Sequence, residues 1–182
     1  MGILYLVKRR ADGSIEKYKA RKVGRGFTHQ EGINYDETYA QMMRTQTFKI
    51  LLVIALHRDW AIRQWDVVAA YLQALLQHDV YITDRNEVWE TEHRKPHKAL
   101  YGLKQAGHEW SKTLCNIMKS IGLHQCIGDE GTYATESVII GTYVDDMIRI
   151  ACTEEELDHA ERDIEKKVEL DKRWRPSKML WM

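Results

Sequence analysis

The 182-residue chain has no net charge, few prolines and no long apolar run. Its 27 Lys and Arg residues balance 27 Asp and Glu residues. This balance excludes the uniformly basic composition of a histone-like binder and the acidic composition of a disordered segment. Two prolines leave little room for a Pro-rich linker. Since no run of 18 apolar residues occurs, we expect no membrane-spanning helix.

Cysteine is also scarce, and its spacing excludes two kinds of site. Cys115, Cys126 and Cys152 are an odd number and form no CxxC pair. Such a set argues against a disulfide framework and against a structural zinc site. We therefore expect reduced, mostly buried thiols in one intracellular globular domain, which is long enough to bury a sizeable core.

Charge is unevenly distributed along the chain. Residues 1–25 hold eight Lys or Arg residues and two acids, whereas residues 153–171 hold nine acids and three basic residues. One interpretation is that the basic end meets a polyanion while the acidic end faces solvent. The alternative is two ordinary solvated surfaces, and charge alone leaves both open.

Hydrophobic periodicity and turn residues predict an α+β fold. A basic hairpin is expected around Asp12-Gly13, from strands at 3–8 and 15–23. Helices are predicted at 45–57, 68–76, 105–121 and 154–170, with Thr45 and Thr153 as N-caps of two of them. Strands are predicted at 60–67, 80–83, 133–134, 138–144 and 147–152. Residues 84–98 read as a charged connection, Asp129 and Glu130 as solvated loop acids, and Trp110 as core.

Two adjacent carboxylates, Asp145 and Asp146, lie between two of the predicted strands. Neighbouring residues of a strand point to opposite faces, so only a turn directs both acids towards one point. Paired carboxylates repel and need protons or cations, and Mg²⁺ prefers such oxygen ligands. The alternative is ordinary Asp-Asp turn chemistry, which the pair alone would favour. Asp66, at the end of another predicted strand, adds the third carboxylate that a two-metal site for phosphoryl transfer requires.

Four blocks of sequence, in order, resemble the reverse transcriptase of copia-type long-terminal-repeat retrotransposons. The resemblance runs from about residue 17 to the C-terminus, and its specificity comes from the order of the blocks. The blocks are residues 19–28 followed by 32–40, residues 64–72, residues 99–106, and Tyr143-Val144-Asp145-Asp146.

The resemblance implies a right-hand polymerase, with a ferredoxin-like antiparallel palm sheet backed by helices. Fingers would comprise about 1–60 and 80–104, and palm about 60–80 and 105–182, with no thumb or RNase H in the chain. The implied activity is RNA-directed DNA polymerisation by two-metal nucleotidyl transfer, with Mg²⁺ or Mn²⁺. The implied partners are an RNA or DNA primer-template and deoxynucleoside triphosphates, in the cytoplasm, a virus-like particle or the nucleus.

The resemblance also assigns roles to individual residues. Asp66, Asp145 and Asp146 match the catalytic, metal-binding aspartates, and the carboxylates of Asp66 and Asp145 are expected within about 6 Å of each other. Tyr71 matches the aromatic gate that excludes a 2′-hydroxyl. The other residues matched to nucleotide binding are Lys19 and Arg21 for the triphosphate, Gln105, Tyr143, and Val144 against the primer end.

Three departures from the family pattern, one of them the missing thumb and RNase H regions, leave a second hypothesis open, and we expect this chain alone to be weakly active or inactive. Arg149 stands where the family usually has a small residue, and residues 171–182 replace the family's glycines with bulky or charged residues. We expect Arg149 either to pair with the metal-binding carboxylates or to be buried in the core as a costly charge without a partner. The alternative to a polymerase is therefore a catalytically inactive remnant, or a fold that only binds nucleic acid.

Overall fold

The computed structural model describes residues 2–10, 12–85 and 91–173. Within these ranges three α-helices alternate with ten β-strands. The helices are α1 (Thr45–His57), α2 (Ala106–Ser120) and α3 (Glu154–Glu165). The first five strands are β1 (Gly2–Arg9), β2 (Ile15–Val23), β3 (Ala61–Val67), β4 (Ile82–Arg85) and β5 (Thr91–Arg94). The others are β6 (His124–Cys126), β7 (Asp129–Ala134), β8 (Val138–Tyr143), β9 (Asp146–Ala151) and β10 (Leu170–Arg173).

Six of the strands form one antiparallel sheet, in the order β10-β3-β9-β8-β7-β6. Strands β1 and β2 form a separate hairpin, as do β4 and β5. The β3–β9 register sets Asp66 opposite Asp146, so the end of β3 lies beside the β8–β9 turn. The predicted α+β class is confirmed by this mixture of helices and antiparallel sheet.

Helices cover both faces of the six-stranded sheet. Successive residues of β9 belong to different core clusters, because side chains alternate across a strand. Met147 packs with Trp110 of α2 and Leu157 of α3, whereas Ile148 packs with Phe48 of α1. The sheet therefore has an α2/α3 face and an α1 face, and the alternation assigns each β3 and β9 side chain to one of them.

Helix α1 is capped by a residue far away in the sequence. The helix begins at Thr45, so Arg44 occupies the N-cap position and its side chain makes no capping hydrogen bond. Instead the buried carboxylate of Asp129 accepts from the Arg44 backbone N–H at 2.9 Å and from the Thr47 hydroxyl. The predictions of Thr45 as N-cap and of Asp129 as a solvated acid were wrong, because this cap comes from β7.

The C-terminal part of the described chain forms a strand where a longer helix was predicted. Thr153 caps α3 with a full capping box, as predicted, but the helix ends at Glu165. The backbone N–H groups of Lys167 and Val168 both bond to the Ile164 carbonyl, which closes the helix and leads into β10. Strand β10 pairs with the edge of β3. Residues 174–182, the end of the divergent tail noted in the sequence, lie outside the described residues.

Two further segments depart from their predicted structure. The charged connection 84–98 contains β5, paired with β4, although residues 86–90 lie outside the described residues. The predicted helix 68–76 is a single 3₁₀ turn at Ala70–Gln73. In both places backbone pairing and tight turns prevail over side-chain periodicity, which is too weak in short segments to distinguish helix from strand.

Composition led to two expectations, one about membrane helices and one about buried thiols. Across the described ranges, none of the helices has both the length and the apolar character needed to cross a membrane. The three cysteines carry free thiols, but Cys115 alone is buried, while Cys126 is half-buried and Cys152 is exposed. The expectation of mostly buried thiols was therefore wrong.

Arg149 lies inside the core and has partners there. The residue is 1% exposed, and its guanidinium rests against the Trp65 ring on the α2/α3 face. Nη1 donates to Glu161 Oε2 at 3.0 Å and to the Leu157 carbonyl at 3.2 Å. Burial lowers the pKa of Arg149 to about 9, so the group still carries its charge at neutral pH. The expected burial is confirmed, but the expected lack of a partner was wrong.

We predict that removing one partner of the Arg149–Glu161 ion pair lowers the free energy of unfolding more than replacing both partners with apolar residues. Arg149→Met should lower the free energy of unfolding by about 2 kcal/mol, because Glu161 loses its partner at 3.0 Å but keeps Arg63 at 3.5 Å. Arg149→Met combined with Glu161→Leu should recover most of that loss, since no buried charge then remains at these two positions. Denaturant unfolding of the single and double variants measures both values, and a double variant less stable than Arg149→Met would contradict the prediction.

Candidate active site

Three aspartates lie at one end of the six-stranded sheet. Asp66 is the penultimate residue of β3, and its cross-strand partner Asp146 is the first residue of β9. Asp145 precedes it in the β8–β9 turn, and its carbonyl accepts from the Val67 backbone N–H at 2.7 Å. The turn is thus bonded directly to the end of β3, and this bond holds residues 66 and 145 close together.

The β8–β9 turn has a strained backbone that α2 supports. Val144 has a φ of 57°, a left-handed conformation that a β-branched residue rarely adopts. Its carbonyl accepts a 2.7 Å hydrogen bond from Nε1 of Trp110, a residue only 1% exposed. Strain of this kind persists only where the surroundings fix it, and it is common at functional sites. Trp110 is core, as predicted, but its indole N–H also holds the turn.

A cavity of about 380 Å³ joins the carboxylates to the basic hairpin. Asp66 and Asp145 both line it. Burial and then the neighbouring Arg21 lower the pKa of Lys19, while Asp66 acts in the opposite direction. Opposite charges therefore face each other across one space. The basic residues that line it are Lys8, Lys17, Lys19, Arg21 and Lys22.

Backbone hydrogen bonds attach the β1–β2 hairpin to the segment that precedes α2. The Gly24 N–H donates to the Tyr101 carbonyl at 2.7 Å, and the Gly26 N–H donates to the Gly102 carbonyl at 3.0 Å. Gly102 has a φ of 88°, and a Cβ there would lie 2.3 Å from the Gly24 oxygen. Only glycine fits at residue 102, because the backbone of Gly24 approaches it so closely.

Tyr71 contacts Tyr101 and lies near Asp145. Its ring contacts the Tyr101 ring with 4.7 Å between centroids, and the Arg21 guanidinium lies 4.7 Å from the Tyr101 centroid. Burial and the nearby Asp145 raise the pKa of Tyr71. A second cavity, of about 110 Å³, has Tyr71 and Val144 on its wall. Tyr71 is therefore adjacent to the carboxylate turn.

The other two residues predicted to bind nucleotide, Tyr143 and Gln105, do not line either cavity. Tyr143 is the last residue of β8 and pairs with Asp146. Gln105, immediately before α2, is 2% exposed, and its amide donates to the Asn34 carbonyl at 3.0 Å. Gln105 is not among the residues that line either of these two cavities. Its side chain instead fixes the loop at residue 34.

Two polar residues near the carboxylates were not predicted. Asp171 of β10 is the cross-strand partner of Asp66 and lines the larger cavity. Sequence reasoning missed this residue, because Asp171 directly follows the predicted helix 154–170 and no strand was predicted there. Gln64 donates from Nε2 to Asp146 Oδ1 at 3.1 Å. Its position two residues before Asp66 places both on one strand face, a signal that alternation would have provided.

The donor atoms at this site are of the kind that Mg²⁺ binds. Among the residues that the structure describes, no group of three or more His, Cys, Asp or Glu side chains is arranged to hold a metal ion. Mg²⁺ is, however, usually held by one or two carboxylates together with water and substrate phosphates. Asp66 and Asp145 face one cavity opposite basic residues. These two carboxylates are enough for a Mg²⁺ ion whose other ligands are water and substrate phosphates.

Residues 2–180 match the protein family described as reverse transcriptase (RNA-dependent DNA polymerase). The chain belongs to the reverse transcriptase family. The match spans both the basic hairpin and the carboxylate turn, so it confirms the resemblance found in the four sequence blocks. The separate strands and turns that meet around the larger cavity thus come from one reverse transcriptase domain.

The relatives are retrotransposon polyproteins of the copia type. The retrovirus-related Pol polyprotein from transposon RE1 of Arabidopsis thaliana is 34% identical over 153 residues. The Pol polyprotein from transposon TNT 1-94 of Nicotiana tabacum and the Ty1-DR5 Gag-Pol polyprotein of Saccharomyces cerevisiae are each 30% identical, over 154 and 152 residues. Each match covers 80% of this chain but only 10%, 12% and 8% of the relative. The chain therefore spans about a tenth of the length of these relatives.

We predict that Trp110→Phe loosens the carboxylate turn of this reverse transcriptase domain. Loss of the indole donor leaves the Val144 carbonyl without its bond, which should cost about 1 kcal/mol of unfolding free energy. Hydrogen exchange of the backbone amides at 143–146 should become faster. Trp60→Phe, on a half-buried tryptophan beside Arg58, is the control and should leave that exchange unchanged. Equal exchange in both variants would contradict the supporting role of Trp110.

Proposed function

We propose that the chain is the fingers-and-palm part of a copia-type reverse transcriptase, which performs RNA-directed DNA synthesis by two-metal nucleotidyl transfer. The observation that carries the proposal is the larger cavity, which Asp66 and Asp145 line opposite Lys19 and Arg21. Phosphoryl transfer consists mostly of positioning and of neutralising charge with metals and basic side chains. Both kinds of group line this one space.

The carboxylates are proposed to hold the catalytic ions. Asp66, Asp145 and Asp146 would bind Mg²⁺ or Mn²⁺, and the metals, when bound, would activate the primer hydroxyl and stabilise the leaving pyrophosphate. The 6 Å separation of the Asp66 and Asp145 carboxylates stays a prediction. The strained Val144 turn supports the proposal because it fixes the two adjacent acids at the end of β3.

The basic hairpin is proposed to hold the triphosphate of the incoming nucleotide. Lys19 and Arg21 are two residues apart on β2, so they project from the same face of the strand. Arg21 also stacks on Tyr101, which orients its guanidinium. Tyr71 and Val144 would contact the sugar and the primer end, with Tyr143 beside them. Gln105 would act through the loop at Asn34, to which its amide is bonded.

The division into fingers and palm is also a proposal. The separate β1–β2 and β4–β5 hairpins suit fingers, and the six-stranded sheet with α2 and α3 suits a palm. Helix α1 packs on β9 through Phe48 and Ile148, which favours placing it with the palm sheet although it lies within 1–60. The primer-template and the deoxynucleoside triphosphates are the proposed partners.

The second candidate is an inactive remnant of the same family, and the position of Arg149 weakens one reason for it. Arg149 and Met147 lie on the α2/α3 face of β9, whereas Asp146 and Ile148 lie on the α1 face. The guanidinium therefore bonds to Glu161 and does not compete with metal for the Asp66–Asp146 pair.

Primer extension distinguishes the two candidates. We expect the full chain to extend oligo(dT) on poly(rA) slowly with Mg²⁺ or Mn²⁺. Asp145→Asn should reduce that rate by at least about 100-fold, because a neutral amide binds the metals poorly. Glu130→Gln, at an exposed acid of β7, is the matched control and should retain activity. Primer-template binding without any extension by the unmodified chain would favour the inactive remnant.

The proposed gate makes a separate prediction. Tyr71→Val should increase the use of ribonucleotides relative to deoxyribonucleotides by about 10-fold or more, because the ring no longer blocks a 2′-hydroxyl, and such a difference corresponds to about 1.4 kcal/mol. Tyr101→Phe retains an aromatic ring against Tyr71 and should leave the preference unchanged. Single-nucleotide incorporation assays measure the ratio, and an unchanged ratio in Tyr71→Val would remove Tyr71 from this role.

A further inference from the structure

We propose that Gln64 is a positioning residue for the metal site and that its buried amide orients the Asp146 carboxylate. The inference rests on the proposed function, because it assigns a task to a residue that supports one of the three acids. It starts from the 3.1 Å hydrogen bond between Gln64 Nε2 and Asp146 Oδ1. No motif of the sequence marked Gln64 for a role of its own.

The sheet register brings these two side chains together. Gln64 and Asp66 are two residues apart on β3, so they project from the same face. Across the strand pair, Gln64 lies opposite Ile148, and Asp66 lies opposite Asp146. The Gln64 amide therefore reaches diagonally to Asp146, a distance that long side chains span on adjacent strands. Any change of this register would separate the amide from the carboxylate.

The chemistry of the position favours a functional role over simple core filling. Gln64 is 0% exposed and lies on the face where Ile62, two residues earlier, packs with the α1 cluster. An apolar residue would suit such surroundings, because a buried amide is unfavourable unless hydrogen bonds satisfy it. A hydrogen bond to an ionised carboxylate is among the stronger ones in proteins.

An amide donor also suits a carboxylate that must bind a cation. A Lys or Arg at residue 64 would neutralise Asp146 and compete with a metal for it. The neutral N–H group fixes the orientation of the carboxylate while it leaves the negative charge in place. Donors of this kind, in contact with a metal ligand, typically change metal affinity by about 10- to 100-fold when they are removed.

The test compares two substitutions of glutamine in the full chain. Gln64→Met keeps the length of the side chain and removes the donor. Gln125→Met is the matched control, because Gln125 also donates hydrogen bonds, to Gln41 at 2.9 Å and to the Glu130 carbonyl at 2.7 Å, but on β6 at the far edge of the sheet. Electron paramagnetic resonance titration with Mn²⁺ measures metal binding without any need for turnover.

We expect Gln64→Met to raise the Kd for Mn²⁺ by about 10-fold, and Gln125→Met to leave it unchanged. In primer extension the metal concentration for half-maximal rate should rise in parallel in Gln64→Met. A circular dichroism melt shows whether Gln64→Met folds. If it does not, Gln64→Asn replaces it, because asparagine keeps the amide but is too short to reach Asp146. The same increase in the Kd for Mn²⁺ is then expected.

The outcomes separate the inference from the proposed function. Wild-type binding of Mn²⁺ with an unchanged Kd in the folded Gln64 variant would overturn the positioning role and leave the polymerase proposal intact. The same increase in Kd for Gln125→Met would also overturn it, because the effect would then be a general loss of stability. A wild-type chain that neither binds Mn²⁺ nor extends primers would overturn both.

Discussion

The pairing of β3 with β9 is the constraint on which the rest of the site depends. It sets Asp66 opposite Asp146 and Gln64 opposite Ile148. A shift of one residue would move every side chain of β3 to the other face of the sheet. Asp66 would then point towards α2 and α3, while Trp65 would leave the core. The buried apolar residues on both faces thus hold in register a few polar residues whose chemistry needs that register.

A second constraint brings the basic hairpin over this sheet. The hairpin has its own pairing and many exposed residues, so the β1–β2 ladder alone does not position it. The two backbone bonds from Gly24 and Gly26 to the segment at Tyr101–Gly102 do so. The sequence blocks 19–28 and 99–106, which are distant along the chain, therefore form one contact. This contact, together with the acidic end of the sheet, encloses the larger cavity.

The sequence predicted those parts of the fold in which one periodic pattern is long. Helix α1 was placed at 45–57 as observed, and the acids at the ends of two apolar strands were recognised. Strand β10 and the Asp129 cap were missed, because each depends on a partner more than 80 residues away. The Gln64–Asp146 bond was missed for the same reason. Local patterns predict elements, but they do not identify which distant polar groups meet.

The two buried polar groups next to the carboxylate turn have opposite consequences, and the sheet keeps them apart. Arg149 carries a positive charge on the α2/α3 face, where its Nη1 donates to Glu161 and to the Leu157 carbonyl. Gln64 lies on the α1 face and donates to Asp146 without adding charge. Since alternation assigns the two groups to opposite sides of one sheet, substitution of Arg149 should act on stability and substitution of Gln64 on metal affinity. A guanidinium that is unusual at residue 149 is therefore compatible with an intact arrangement of acids on the other face.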